Sequence, residues 1–240
     1  MKKIKILAII LCMAPLSLFA AGSGVELDKA LIDTNDQASI QRGAKTFVNY
    51  CLTCHGASFM RYNRHRDIGL SNEEILDQLI YTGQKTGDLM VSAMRKKEGE
   101  GWFGVVPPDL SVIARSRGAD WLYSYLRAFY RDEATTTGWN NLVFDRAAMP
   151  HVLYQLQGEQ KLVVKGSGKD ETKSLILEKP GMMTAVEYDR YVADLVNYLV
   201  YIGEPHAKKR EEIGTMVMMF LLGMLVLAYA LKHEYWRDIH

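Results

Sequence analysis

Cys51-Leu52-Thr53-Cys54-His55 constrains this chain more than any other stretch, because it places two thiols and an imidazole within five residues. Cysteines at this spacing can each add across one vinyl group of a haem, and the histidine that follows is then held beneath the iron as an axial ligand. A chain tied in this way must fold around a large, flat, apolar group. A zinc site on the same pair would need further cysteine or histidine partners. The chain has three cysteines, and the third, Cys12, lies in a segment expected to be removed.

That segment is residues 1–21, read as a cleaved secretory leader. Lys2, Lys3 and Lys5 precede an apolar run from Ile6 to Phe19, and the small residues Ala20, Ala21, Gly22 and Ser23 follow. Pro15 and the short apolar length argue against a permanent span. The bulky Leu11 before Cys12 argues against a lipid-anchored start. Removing three lysines from 29 basic residues set against 28 acids takes the formal charge from +1 to −2.

A second membrane signal stands near the other end. Ile213 to Leu231 carries no charge, and nineteen residues at the helical rise span about 28 Å, close to the hydrocarbon thickness of a bilayer. Lys208-Lys209-Arg210 and Lys232 with Tyr235, Trp236 and Arg237 flank it with membrane-edge chemistry. The organisation expected is a leader over 1–21, an exported haem domain over 22–209, a transmembrane anchor over 210–232 and a tail over 233–240. Charge counts on the two flanks leave the orientation undecided. The leader and the haem motif place Cys51 outside the cytoplasm and His240 inside, so the chain is expected in a bacterial inner membrane with its haem domain on the periplasmic side.

Between these signals lies enough chain for one domain with a single core. No repeat, low-complexity tract or basic run of the nucleic-acid-binding kind appears, so nucleic acid is not an expected partner. Ile40, Ala44, Phe47 and Val48 recur at helical spacing and should deliver Cys51 to the haem, with Gly43 on the same face admitting a close helical neighbour. Thr184 with Glu187 forms a capping-box pattern ahead of Tyr188, Tyr191, Leu195, Tyr198, Leu199 and Ile202. Ser71 with Glu74 opens a helix through Ile75 to Tyr81, and Asp120 is expected to open another from Trp121 to Tyr130. Leu162-Val163-Val164 and Leu175-Ile176-Leu177 flank a Gly-Ser-Gly-Lys-Asp turn and read as a β-hairpin. The fold class is therefore mainly α, a haem domain with a small β-hairpin insertion and one C-terminal transmembrane helix. Irregular segments are expected over 84–119 and 132–160, where a bound haem would supply the apolar surface that loops lack.

A second axial group decides between an electron carrier, a low-potential carrier and a ligand-binding haem. The candidates are Met60, Met90, Met94, Met149, Met182 and Met183, with His65, His151 and His206. Met149 stands in a loop beside Pro150, which restrains the backbone there. Met182 and Met183, just ahead of the last soluble helix, are the rivals.

Further blocks accompany the haem motif: Met60-Arg61-Tyr62, Trp102-Phe103-Gly104, Pro107-Pro108-Asp109-Leu110-Ser111 with Arg115 and Arg117, Gly138-Trp139-Asn140-Asn141, and Met149-Pro150-His151. In this order, and with a single C-terminal anchor, they make the chain resemble the cytochrome c1 family, the haem subunits of bacterial ubiquinol–cytochrome c reductase (cytochrome bc1) complexes. The resemblance covers essentially the whole chain. It implies a cytochrome c-type fold, one covalently bound haem c, His55 and Met149 as axial ligands, and Arg117, or Arg115 near it, against a haem propionate. It also implies electron transfer from a Rieske iron–sulfur protein to a soluble or membrane-bound cytochrome c, with cytochrome b as the neighbour in the lipid bilayer and a dimeric complex. A thioether favours Fe(II) and so raises the potential, which suits an acceptor of electrons from a high-potential donor.

Two other readings share part of this pattern. A membrane-anchored c-type cytochrome feeding a terminal oxidase has the leader, the haem motif and the anchor. A haem enzyme or gas sensor would need an open distal side.

Overall fold

The computed structural model describes residues 25–166 and 171–237. The leader expected over 1–21, most of the hairpin turn and the last three residues lie outside the described residues.

Helix α1, Gln37–Tyr50, starts where the Asp36 carboxylate accepts the Ser39 N–H at 3.0 Å. It buries Ile40, Gly43, Ala44, Phe47 and Val48, the face anticipated from spacing. Its partner is the long helix Ala185–Gly203, called α7 below, which opens with the anticipated capping box of Thr184 and Glu187. Gly43 sets how closely the two cross. A Cβ there would lie 2.1 Å from the Asp194 carbonyl oxygen and 2.7 Å from Tyr198 Cβ, and backbone on that side cannot yield. Arg42 binds the Asp194 carboxylate through two nitrogens at 2.6 and 3.0 Å, Phe47 packs on Tyr198 with ring centroids 5.5 Å apart, and the Asn197 amide donates to Ser39 Oγ at 3.0 Å. The main core gathers around this crossing, with Phe47, Ile75, Leu79, Met90, Val192 and Tyr198 all fully enclosed.

Strand β1, Ala57–Arg61, follows the haem motif and pairs antiparallel with β2, Leu89–Met90. Helix α2, Asn72–Leu79, carries the Ser71–Glu74 capping box. Helices α3, Lys96–Phe103, and α4, Ile113–Arg117, lie inside the stretch expected to be irregular. Helix α5, Ala119–Arg127, begins at Gly118 rather than at Asp120. The Asp120 carboxylate instead accepts the Ala30 N–H and pairs with Lys29, both at 2.9 Å, and tethers the N-terminal segment. The helix also stops at Arg127, since Phe129–Arg131 forms β3 against β4, Trp139–Asn141.

A short helix α6, Tyr154–Gln157, leads into the expected hairpin, in which β5, Gly158–Lys165, pairs with β6, Thr172–Pro180, so that Leu162 faces Leu175. Val164, Ile176 and Leu177 are about half exposed on it, so the hairpin projects from the core. Its base is anchored by Glu159, which accepts from Arg131 at 2.8 Å and Lys179 at 3.0 Å. Helix α8, Ala207–Trp236, is long and apolar enough to cross a membrane, with a mean hydropathy of 2.2 in its most apolar window. Its large apolar side chains are exposed along its length, as a lipid-facing surface requires.

Candidate functional site

Helix α1 ends at Tyr50 and the chain tightens into a turn in which the N–H groups of Cys54 and His55 both bond back to the Cys51 carbonyl, at 3.0 and 2.8 Å. The motif is thereby presented as a compact knuckle. Cys51 is buried and Cys54 partly so, and both are free thiols. Burial pushes the Cys51 thiol up to about 12, with the neighbouring Cys54 adding to the shift. The thiol is thus neutral at physiological pH and sits in an apolar surrounding.

His55 is oriented from across a gap of more than fifty residues. Its Nδ1 lies 2.7 Å from the Pro108 carbonyl oxygen, and since a carbonyl can only accept, Nδ1 carries the proton and Nε2 keeps the lone pair. Burial, opposed by the Pro108 bond and the Asp109 carboxylate, pulls the imidazole below its ordinary value. A neutral ring with Nδ1 engaged and Nε2 available is the arrangement a metal-binding histidine needs.

One cleft brings this knuckle together with Met149. Its walls are Tyr50, Cys51, Cys54 and His55 on one side and Ala148, Met149, Pro150 and Val152 on the other, closed by Phe103, Val105, Pro107 and Pro108. Nearly all of the lining is apolar. Met149 Sδ accepts a hydrogen bond from the Tyr125 hydroxyl at 3.6 Å, and burial raises that phenol above its ordinary value, keeping it a donor. The donor set of imidazole nitrogen and thioether sulfur, two thiols at the edge and an apolar lining fits a haem c.

The rival ligands are placed elsewhere. Met60 and Met90 are buried in the main core, Met94 packs beside Gly99, Met182 is exposed and Met183 packs on the main core from its edge. His65 is engaged at both ring nitrogens, by the Tyr62 carbonyl at 2.8 Å and the Tyr198 hydroxyl at 3.0 Å. His206 Nε2 meets the Arg64 guanidinium at 2.9 Å. His151 stacks on Phe129 with centroids 4.9 Å apart and meets Trp139 edge-on, behind the methionine loop. Burial drives its imidazole down to about 4, so it behaves as a neutral core ring. Arg117 is not part of the cleft lining: its guanidinium lies 5.0 Å from the centroid of Trp121 and 5.8 Å from that of Phe144. Arg115 reaches Glu204 at 4.0 Å.

The chain matches the cytochrome C1 family over residues 28–100 and 81–239. It is 45% identical to a cytochrome c1 of Allochromatium vinosum, with 98% of each chain aligned. This chain belongs to the cytochrome c1 family. It is also 63% identical, over the full length of both chains, to an ammonia monooxygenase gamma subunit of Nitrosomonas europaea, and 25% identical to a cytochrome c1 of Rhodospirillum rubrum, with 88% of this chain and 85% of that one aligned. Family membership carries with it a haem c cofactor and a place in electron transport.

For a cytochrome c1 chain, the part hardest to see in sequence is what holds the methionine loop. Asn141, almost fully buried, donates from its amide to the Tyr125 carbonyl at 2.8 Å and accepts the Val143 and Phe144 N–H groups at 2.9 and 3.1 Å. Asn140 accepts the Asn141 and Arg146 N–H groups, both at 2.8 Å, and donates to Asp132 and Asp145. The Trp-Asn-Asn block thus folds residues 140–147 into the turn that presents Met149. Tyr125 had no sequence signal tying it to Met149: only its place four residues beyond Trp121, on which it stacks at 4.8 Å, marks it as lining one helical face.

Proposed function

We propose that this chain is the membrane-anchored c-type cytochrome of a quinol-oxidising bc1 complex, taking electrons from a Rieske iron–sulfur protein and passing them to a cytochrome c on the periplasmic side. The observation that supports this most directly is the apolar cleft that Cys51, Cys54, His55 and Met149 line together. A haem c held there supplies a one-electron Fe(II)/Fe(III) couple. Cys51 and Cys54 would hold it by thioether bonds, and His55 Nε2 and Met149 Sδ would be the axial donors. Pro108 keeps the imidazole in the required tautomer, and the Tyr125 hydroxyl orients the sulfur and draws electron density from it. The apolar walls exclude water, so a change of charge at the iron demands little reorganisation. Were His55 and Met149 both to hold the iron, oxygen and peroxide would find no open site. Arg117, near the surface on Trp121 and Phe144, would turn to a propionate when the cleft is filled. The exposed apolar length of α8 would anchor the domain beside cytochrome b in a dimeric complex.

The test is purification of the tagged full-length chain in mild detergent. Cytochrome b and a Rieske protein should accompany it, with haem staining that survives denaturation. Recovery of a monooxygenase in their place would favour the role that the Nitrosomonas relative's name gives it, and recovery of a terminal oxidase would favour a different membrane-anchored carrier.

A further inference from the structure

His55 does not hold its orientation alone, because the carbonyl it donates to belongs to Pro108, on a loop with no regular structure of its own. What fixes that loop is the next residue. Asp109 Oδ2 accepts the Ser58 N–H at 2.9 Å and the Ser58 hydroxyl at 2.7 Å, while Oδ1 accepts the Ser111 N–H at 2.8 Å and the Ser111 hydroxyl. One carboxylate therefore takes four donors from the two segments that meet at the histidine. The surrounding bonds run the same way: the Leu110 N–H reaches the Gly56 carbonyl at 2.7 Å, and the Phe59 N–H reaches Ser111 Oγ at 3.0 Å, with Ser111 1% exposed. Gly56 leaves room for the carboxylate, since a Cβ there would stand 3.0 Å from Asp109 Oδ2 and 3.2 Å from Ser58 Oγ.

We propose that Asp109 is a positioning residue for the iron's histidine ligand, holding the Pro108 carbonyl on His55 Nδ1 and setting a fixed negative charge beside the ring that favours the ferric state. The proposal rests on the reading of His55 as the axial ligand. A surface carboxylate that served only solubility would not take four donors from both strands of a clamp. A charge-assisted cluster of this kind is stiff, and the bond it defends makes the imidazole a stronger donor to a metal. Both effects act in one direction, lowering the reduction potential that the methionine raises. Asp109 therefore trims the potential from the histidine side.

The experiment uses the full-length haem-loaded chain in detergent, with two readouts: the reduction potential from a spectroelectrochemical titration, and the solvent exchange of the His55 Nδ1 proton by NMR of the reduced form. Asp109→Asn removes the charge and turns one acceptor into a donor. The expected result is a higher potential and Nδ1 exchange faster by roughly tenfold or more, with covalent haem content unchanged. Asp109→Glu retains the charge and should recover most of the potential while leaving exchange fast. An Asp109→Asn protein with wild-type potential and wild-type exchange overturns the proposal, even where its melting temperature has fallen. Should that variant fail to accumulate, Ser58→Ala removes one donor to the same oxygen: faster Nδ1 exchange supports the clamp and unchanged exchange overturns it. A wild-type spectrum without histidine ligation overturns the axial reading, and this proposal with it.

Discussion

The two walls of the cleft are built on different principles. The histidine wall is continuous with the main core: α1 runs into Cys51, and Phe47 behind it is fully enclosed against Tyr198 of α7. The methionine wall leans on a small satellite cluster in which Phe129, Trp139 and Ala147 are buried and Tyr125 and Met149 partly buried against them. Packing secures the helix behind the first wall, and side-chain hydrogen bonds from Asn140 and Asn141 secure the turn behind the second. Apolar burial spread over a helix crossing resists local opening better than a turn held by a few amides. The methionine side should therefore be where the site loosens first, and the histidine side where the whole domain stands or falls.

The largest effect would come from removing the two thiols proposed to tie a haem to the histidine wall. The Cys51→Ala, Cys54→Ala double variant should lose all haem that survives a denaturing gel, and retained staining would remove the basis of the site. Met149→Leu keeps the apolar volume and deletes the sulfur. It should abolish the weak far-red sulfur-to-iron band, lower the potential and admit carbon monoxide, whereas Met182→Leu and Met183→Leu leave the spectrum intact. Loss of that band in either of the latter two instead would move the second wall to the start of α7.

Gly43→Ala attacks the packed wall far from the cleft. The added Cβ meets Asp194 backbone that cannot move aside, so a loss of about 3 kcal/mol in global stability is expected, read by denaturant unfolding. Asn141→Ala strips both the donor to Tyr125 and the acceptor for two backbone N–H groups, a cost of about 2 kcal/mol. Here the loss should be local, with faster hydrogen exchange over 140–149 and measurable carbon monoxide binding while α1 and α7 keep their protection. Equal loosening of both walls would break the contrast.

The smallest effect belongs to the hairpin base. Hydrogen bonds from Arg131 and then Lys179 hold the Glu159 carboxyl down at about 2 from an ordinary 4.5. A carboxyl depressed on folding contributes stability that is complete above its unfolded value and is lost as pH falls towards its folded one. Hairpin protection should thus decline between about pH 4.5 and pH 2, modestly because the contacts lie near solvent. Glu159→Gln should flatten that decline, and a steep pH response in the variant would assign it to another group.

Much of the histidine wall could be read in advance because its determinants are local. A knuckle motif, an apolar stripe, a permissive glycine and two capping boxes each act within a few residues of chain, and all reappear in α1, α2 and α7. Asp120 shows the limit of such reading. As an acidic residue ahead of an apolar stripe it has the chemistry of a cap, yet the helix starts one residue earlier and its carboxylate serves Ala30, ninety residues away.

The methionine wall was legible only as far as its motif. Met149-Pro150 could be singled out, but nothing in the order of residues says that the hydroxyl on its sulfur comes from Tyr125, that Asn141 ties the intervening turn to α5, or that His151 turns away into a ring stack. The irregular look of 84–119 and 132–160 has a related origin, since the helices there, α3, α4 and α6, are only eight, five and four residues long and the chain between them is tied by side-chain bonds to distant backbone. By itself the sequence determined the Cys51–His55 knuckle, the helix that delivers it, the close α1–α7 crossing and the apolar C-terminal helix, because motif spacing, helical periodicity and segment length are properties of neighbouring residues. Tertiary structure alone decided which hydroxyl meets the Met149 sulfur and which carbonyl meets His55, because those choices depend on loops meeting only after the core has closed.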